Sequence, residues 1–279
     1  MTEAFELSLN TDRPPLCGLI DLPEQSGQRP TVVICHGFKG FMEWGFFPFL
    51  AELLSERGFV VVRFNFSGSG MRPGDDLVTD IEAFRTATFS GDREDVLGVL
   101  AAAREGLSDR IDPARIGLFG HSRGGGAALL AAAHEASQGR IHALVTWAAV
   151  GTFDRLPAEA KDVWRQTGSM PIVNGRTGQE LGLGVEVLDD LEAHREDLDI
   201  EKAARARRAP WLLIHGVGDE TVPVSEARRL QEVAGPGLDT LLLPEAGHTL
   251  GARHPFQGPT QPLIEAMNAT QTWFRRHLC

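Results

Sequence analysis

The sequence is poor in cysteine and has no metal-ligand spacing. Only three cysteines, Cys17, Cys35 and Cys279, occur among 279 residues, and none forms a CxxC pair. An odd number of scattered cysteines favours free thiols in a reducing compartment, so we expect a cytoplasmic protein. No cluster of cysteine, histidine or acidic residues has the spacing of metal ligands, and we expect neither a metal nor an organic cofactor.

Long apolar runs and an excess of positive charge are also missing. No run approaches the roughly 18 apolar residues that a membrane-spanning helix needs. The N-terminus, MTEAFELSLNTDRPPL, carries acidic residues where a signal peptide would be positively charged. A formal net charge of −11 gives no electrostatic reason to bind nucleic acid or an anionic membrane. We expect a monomer or homodimer whose partner is a small molecule.

The chain does contain a regular alternation of strand-like and helix-like segments. Two alternating segments, FELSLN and LCGLIDLP, predict a hairpin across the TDRPP turn. Helical stretches include one over 92–107, with Asp92 as its predicted N-cap. The alternation predicts an α/β fold, with a mostly parallel sheet of about eight strands and helices on both faces. The apolar runs typical of buried strands lie at 31–35, 59–66, 115–120, 142–150, 210–216 and 239–244.

Residues 151–208 interrupt this alternation without a buried strand. The segment contains an Asn-Gly turn signal in IVNGRTGQELGL and a highly charged helical stretch over 187–208. It also contains Phe153, Trp164 and Leu181 as apolar side chains for packing. We therefore interpret residues 151–208 as a cap inserted into a main domain that is formed by residues 1–150 and 209–279.

The stretch LFGHSRGGGAALL places Ser122 between a predicted strand and a predicted helix. Gly120 and Gly124 flank the serine in a GxSxG pattern, which is a weak signal in a chain with 31 glycines. The strand-turn-helix setting is more specific, because a nucleophile elbow exposes its serine on a strained turn of this kind. Ser122 is therefore the predicted nucleophile.

A serine hydroxyl needs a base, and the base needs a carboxylate that orients it. On this architecture both follow the serine in the chain, each after the C-terminal end of a strand. WLLIHGVGDETVP supplies Asp219 and LLLPEAGHTLG supplies His248 at such positions. Taken singly, Asp219 fits a turn aspartate and His248 is one of nine histidines. Their order and positions together predict a catalytic triad with Ser122.

Three neighbouring residues have simpler interpretations. His215 ends a predicted strand, and we expect a structural hydrogen bond to the loop that follows. Glu245 is expected on the rim of its loop. Cys35 lies inside a buried strand and is interpreted as a core thiol.

Acyl transfer also requires hydrogen-bond donors for the developing oxyanion. One is predicted to be the backbone N–H of Arg123, at the positive end of the helix after Ser122. The other is predicted in CHGFKGFMEWG, where we assign the N–H of Phe38. The charge of Lys39 fits either a contact with a substrate carboxylate or simple solvation.

Five segments, HGFKG, FNFSGSG, GHSRGG, GDETVP and AGH, resemble the successive signatures of the α/β-hydrolase superfamily across nearly the whole chain. Within it, the chain is similar to bacterial serine esterases of the cinnamoyl and feruloyl esterase and dienelactone-hydrolase-like group. The resemblance implies an α/β-hydrolase fold with Ser122 as nucleophile, Asp219 as acid and His248 as base. It also implies that Phe38 and Arg123 form the oxyanion hole.

Two sequence features limit the reactions and substrates that the resemblance implies. Dienelactone hydrolases use a cysteine nucleophile, and epoxide hydrolases and haloalkane dehalogenases use an aspartate, where this chain has Ser122. The segment FNFSGSGMR replaces a version with histidine or aspartate that is often seen in feruloyl esterases. An aromatic substrate is therefore not implied.

We predict two-step hydrolysis of a small-molecule carboxylic ester through an acyl-enzyme. Phe153, Trp164 and Met170 are predicted to line the substrate pocket, with Met71 at its rim. Packing inside the cap is an equally good interpretation for the first three. A serine peptidase, which would need an acid such as Glu43 to hold an amino terminus, a thioesterase and a non-catalytic binding module are the alternatives.

Overall fold

A computed structural model describes residues 1–9, 12–136 and 140–279. Within these ranges the strands are β1 (Thr2–Leu7), β2 (Leu16–Asp21), β3 (Arg29–Cys35), β4 (Val60–Asn65), β5 (Ile111–His121), β6 (Ala143–Trp147), β7 (Ser169–Val173), β8 (Glu180–Gly184), β9 (Trp211–Gly216) and β10 (Leu238–Leu243). The helices are α1 (Phe47–Glu56), α2 (Ile81–Arg85), α3 (Phe89–Glu105), α4 (Arg123–Ala136), α5 (Ala158–Thr167), α6 (Glu186–Ala193), α7 (Ile200–Ala206), α8 (Val224–Ala234) and α9 (Gln261–Leu278). No helix of the described residues is both long and apolar enough to span a membrane.

Eight of these strands form one sheet, in the order β1-β2-β4-β3-β5-β6-β9-β10. β2 runs antiparallel to β1 and β4, and all other neighbours are parallel. The predicted α/β fold with a mostly parallel sheet of eight strands is confirmed. The N-terminal hairpin is also present, since Leu7 pairs with Leu16. Thr11, in the predicted TDRPP turn, lies outside the described residues.

Helices cover both faces of the sheet. Successive strand residues point to opposite faces, and Val32 and Val33 of β3 accordingly lie in two different apolar cores. The core around Val33 includes residues of α3, α4, α7 and α8. The core around Val32 includes residues of α1 and α9. Burial on both faces explains why the parallel strands are continuously apolar in the sequence.

The prediction of Asp92 as the N-cap of α3 is wrong. The helix begins at Phe89, and the Thr88 hydroxyl caps it by accepting a hydrogen bond from the Gly91 N–H at 3.1 Å. Asp92 lies one turn further on and is buried. Threonine and aspartate are both good cap residues, so the local sequence alone did not distinguish Thr88 from Asp92.

The segment 151–208 contains its own hairpin and three helices. β7 and β8 pair antiparallel as a separate two-stranded sheet around the predicted Asn-Gly turn. Trp164 and Leu183 pack here in a third apolar core, together with Phe84 of α2. The charged stretch 187–208 forms two helices, α6 and α7, and α7 contributes Ile200 to the core of the main sheet.

Asp190 of α6 connects this segment to the start of α3. Its carboxylate accepts hydrogen bonds from the N–H groups of Phe89, at 2.9 Å, and Ser90, at 3.0 Å, and from the Ser90 hydroxyl. These N–H groups belong to the first turn of α3 and have no partner within the helix. Asp190 therefore acts as a capping group supplied by a distant part of the chain.

Removing this capping carboxylate should destabilise the protein. We expect Asp190→Ala to lower the free energy of unfolding by about 1–2 kcal/mol, as the loss of a helix cap does. Urea denaturation followed by circular dichroism measures the change. Asp189→Ala is the matched control, because the Asp189 side chain is 61% exposed and pairs with Arg165 at the surface; an equal loss in both variants would contradict the capping role.

Candidate active site

Ser122 lies on the sharp turn between β5 and α4. Its φ is 56°, in the left-handed region that residues other than glycine rarely adopt. The turn is held by hydrogen bonds from the Ser122 N–H to the Trp147 carbonyl at 2.9 Å and from the Gly125 N–H to the Ser122 carbonyl at 2.9 Å. A strained residue that its surroundings hold in place is typical of a functional site.

The two glycines of the GxSxG pattern are sterically required. A Cβ atom on Gly120 would overlap the carbonyl oxygen of Gly124, and one on Gly124 would overlap the carbonyl oxygen of His36. The backbone of α4 therefore approaches β5 and the loop after β3 more closely than any side chain allows. This close approach positions Ser122 at the carboxyl edge of the sheet.

The structure brings the three predicted triad side chains together. His248 lies on the loop after β10, and its Nε2 is 3.0 Å from the Ser122 Oγ. Asp219 lies on the loop after β9, and its Oδ2 is 2.8 Å from the Nδ1 of the same histidine. A histidine that donates from Nδ1 to a carboxylate presents Nε2 as an acceptor, which is the tautomer that a general base requires.

Asp219 is held as a carboxylate. Its Oδ1 accepts hydrogen bonds from the N–H groups of Thr221, at 2.8 Å, and Val222, at 2.9 Å. Burial would raise the pKa of Asp219, but these bonds and the one from His248 outweigh burial, and the pKa lies below its usual value. The negative charge that orients the histidine is therefore present at neutral pH.

Two further histidines support the triad without reaching Ser122. His215, as predicted, hydrogen-bonds to the following loop: its Nε2 donates to the Val222 carbonyl at 2.8 Å. His121, whose role the sequence does not indicate, donates from its Nε2 to the backbone carbonyl of His248 at 3.0 Å. Burial lowers the pKa of His121 to about 3, so this histidine is neutral and serves as a fixed donor.

The loop after β3 holds Phe38 beside Ser122. His36 fixes this loop, with Nδ1 donating to the Gly37 carbonyl at 2.8 Å and Nε2 accepting from the Phe66 N–H at 3.2 Å. Within the described part of the chain, neither the backbone N–H of Phe38 nor that of Arg123 donates to a protein acceptor. Both groups are thus available to a ligand at Ser122.

The side chain of Arg123 forms a buried ion pair that the sequence did not indicate. Its Nε donates to the Asp92 carboxylate, and its Nη2 donates to the Thr88 carbonyl at 3.2 Å. The guanidinium carbon lies 4.5 Å from the ring centre of Phe89 and 5.4 Å from that of Phe38. Burial raises the pKa of Asp92, and the charge of Arg123 opposes this effect. The pair connects α4 to α3 at the residue that follows Ser122.

A cavity of about 460 Å³ opens at Ser122 and His248. The predicted pocket residues Phe153, Trp164 and Met170 all line it. Lys39 lines the cavity as well. Its remaining walls come mainly from apolar residues outside and inside the segment 151–208: Phe38, Phe89, Val150, Leu156, Leu183, Val187, Leu188 and Leu191.

The structure places two other candidate residues away from this cavity. Met71 lines a different groove, of about 670 Å³, beside Phe5 and Cys17 of the N-terminal hairpin. Met71 packs in the third apolar core with Trp164 and Leu183, but it does not line the Ser122 cavity. The Glu43 carboxylate accepts a hydrogen bond from the Gly74 N–H at 2.9 Å and does not line the cavity.

No group of three or more histidine, cysteine or acidic side chains within the described ranges is arranged to hold a metal ion. Cys35 is fully buried in the core, and burial raises the pKa of its thiol. Glu245 is exposed on its loop. Ser122 lines the cavity, whereas Cys35 and Glu245 do not.

Comparisons with known proteins agree with this architecture. The prolyl oligopeptidase family matches residues 44–278, a range that includes Ser122, Asp219 and His248. The chain is 26% identical to an uncharacterized 31.7 kDa protein of Escherichia coli, with 92% of this chain and 94% of that protein covered.

Solved structures share the fold at lower identity. Est1E from Butyrivibrio proteoclasticus, with ferulic acid bound, superimposes with a TM-score of 0.71 at 20% identity and 98% coverage of both chains. Pyrococcus horikoshii acylaminoacyl peptidase gives a TM-score of 0.72 at 19% identity, over all of this chain and 42% of that one. The chain therefore belongs to the prolyl oligopeptidase family and is a hydrolase of the α/β-hydrolase superfamily.

Proposed function

We propose that the protein is a serine hydrolase that cleaves carboxylic esters. The observation that carries this proposal is the hydrogen-bonded series from Ser122 through His248 to Asp219, at a mainly apolar cavity. Similarity to Est1E, a structure with bound ferulic acid, supports an ester as substrate. Residues 1–150 and 209–279 then form the catalytic domain, with residues 151–208 as its cap.

The proposed mechanism has two steps. The Ser122 Oγ attacks the acyl carbon while His248 Nε2 takes the hydroxyl proton, and the N–H groups of Phe38 and Arg123 stabilise the oxyanion. The C–O bond to the alcohol then breaks, and His248 returns its proton to the leaving oxygen. Water repeats the sequence on the acyl-enzyme, with His248 again as base, and releases the carboxylic acid.

The described lining of the cavity offers no unpaired carboxylate, which argues against an aminopeptidase. Such an enzyme needs a free carboxylate to bind the amino terminus of its substrate. Among the described residues that line the cavity, Asp154 is the one with a carboxylate, and it is paired with Lys161. The carboxylate of Glu43 accepts a hydrogen bond from the Gly74 N–H and does not line the cavity.

Cleavage of acylated peptides is the second candidate. The family match favours it, as does the fold shared with Pyrococcus horikoshii acylaminoacyl peptidase. An acylated amino terminus carries no positive charge, so this reaction needs no free carboxylate in the cavity. An ester and an acylaminoacyl amide would use the same triad, and the two candidates therefore differ only in the substrates that the cavity accepts.

A substrate panel with active-site labelling tests the proposal. We expect kcat/KM for p-nitrophenyl acetate or butyrate to be at least about tenfold above that for acetyl-alanine p-nitroanilide. A fluorophosphonate probe should label Ser122, as mapped by mass spectrometry of the tryptic peptide. Comparable turnover of the anilide would favour the peptidase, and failure of both turnover and labelling would overturn the serine mechanism.

We also propose a cytoplasmic location. Its support is that all three cysteines are free in the folded chain, with Cys35 buried, Cys17 half-buried and Cys279 exposed. An exposed thiol persists most readily in a reducing compartment.

A further inference from the structure

Positively charged side chains predominate at the cavity beside Ser122, although the chain as a whole carries a formal charge of −11. The cationic residues that line it are Lys39, Arg123, Arg155 and Lys161. A substrate can use these charges only where they are not already neutralised by acidic side chains of the protein.

Three of the four cations are already paired with acids. Arg123 pairs with Asp92, Arg155 pairs with Glu226 at 3.0 Å, and Lys161 pairs with Asp154. Asp219 adds no free charge, because its carboxylate is fully buried and directed at His248. These charges are therefore balanced within the protein and are not available to a substrate without breaking an ion pair.

Lys39 is the exception. Within the described residues, no carboxylate lies within 4.0 Å of its Nζ, and the contact that the Nζ does make is with the Val173 carbonyl, at 3.5 Å. This is a long distance for a hydrogen bond. The side chain is exposed and reaches from the loop after β3 across to β7 of the cap.

The backbone at Lys39 is also strained. Its φ is 59°, in the left-handed region where a Cβ atom is unfavourable. Lys39 directly follows Phe38, whose N–H is a proposed oxyanion donor. Lys39 lines the same cavity as Ser122 and His248, and strained residues often occur at ligand sites.

We propose that Lys39 binds a carboxylate on the ester substrate, so that the preferred substrates are half-esters of dicarboxylic acids or comparable anionic esters. This inference rests on the proposed ester hydrolysis. The ammonium group of Lys39 has free donors for a carboxylate, and a charge-assisted hydrogen bond is about twice as strong as a neutral one. The apolar walls accommodate the carbon chain between the ester and the carboxylate.

A matched pair of esters tests this proposal. The p-nitrophenyl half-ester of adipic acid carries a carboxylate, and its methyl ester has nearly the same shape without the charge. We expect the wild-type protein to favour the charged ester in kcat/KM by about tenfold or more, mainly through KM. Lys39→Gln should remove this preference, and Lys39→Arg should retain most of it. Higher salt should weaken the preference in the wild-type protein.

Lys202→Gln is the control, because Lys202 lies on α7 and pairs with Glu196 at 3.6 Å. A ratio of the two esters that is the same in Lys39→Gln and wild type would overturn the proposal. If the wild-type protein hydrolyses neither ester, the ester function itself fails. Calorimetry of monomethyl adipate with the unreactive Ser122→Ala protein then decides: binding that Lys39→Gln weakens supports the carboxylate site, and binding that is absent or independent of Lys39 refutes it.

Discussion

Ser122→Ala will remove ester turnover, lowering kcat by about five to six orders of magnitude, as loss of the nucleophile does in serine hydrolases. Alanine leaves no oxygen to form the acyl-enzyme, whereas the donors of Phe38 and Arg123 and the apolar cavity remain. The small residual rate expected from those groups alone should be measured by following hydrolysis of a p-nitrophenyl ester over long incubations. Loss of fluorophosphonate labelling should accompany the loss of turnover.

The same position allows a test for misfolding. Alanine keeps the strain of a φ of 56°, so Ser122→Ala should melt close to the wild-type protein, and Ser122→Gly should be at least as stable because glycine adopts this conformation freely. Ser225→Ala, on the exposed start of α8, controls for loss of a serine hydroxyl elsewhere. Near-normal turnover in Ser122→Ala would assign the nucleophile to another residue.

The central sheet was predictable from sequence for a physical reason. Its parallel strands are buried on both faces, so β3, β9 and their neighbours are short, continuously apolar segments in the sequence. The order of Ser122, Asp219 and His248 could be predicted because each follows the carboxyl end of a strand, and these ends share one edge of the sheet. Local pattern and chain order were sufficient for both.

Pairings between distant side chains could not be predicted in this way. Asp92 and Arg123 are 31 residues apart, and Asp190 caps a helix that begins 101 residues before it. Neither contact leaves a periodic pattern, because each depends on how α3 packs against α4 and α6. Met71 does not line the Ser122 cavity for a related reason: it is close to a strand end in sequence, but it packs in the third apolar core and lines the groove beside the N-terminal hairpin.

The largest effect on stability should come from breaking the buried pair behind Ser122. Asp92→Ala leaves the guanidinium of Arg123, whose side chain is 11% exposed, without its carboxylate. Removal of one partner of a buried pair costs about 3–5 kcal/mol, because the remaining charge cannot be solvated. Urea denaturation should show this loss, and Glu82→Ala, which removes a carboxylate from the surface pair with Arg85, should have little effect.

A double variant separates the charge from the packing at this site. In Asp92→Leu with Arg123→Met, both charges are replaced by apolar side chains of similar reach, and a methionine can occupy the space between Phe38 and Phe89. We expect the double variant to recover most of the stability lost in Asp92→Ala, because apolar replacement of a buried pair is often neutral or stabilising. If it is as unstable as the single variant, the pair stabilises the protein by its geometry rather than by avoiding an unpaired charge.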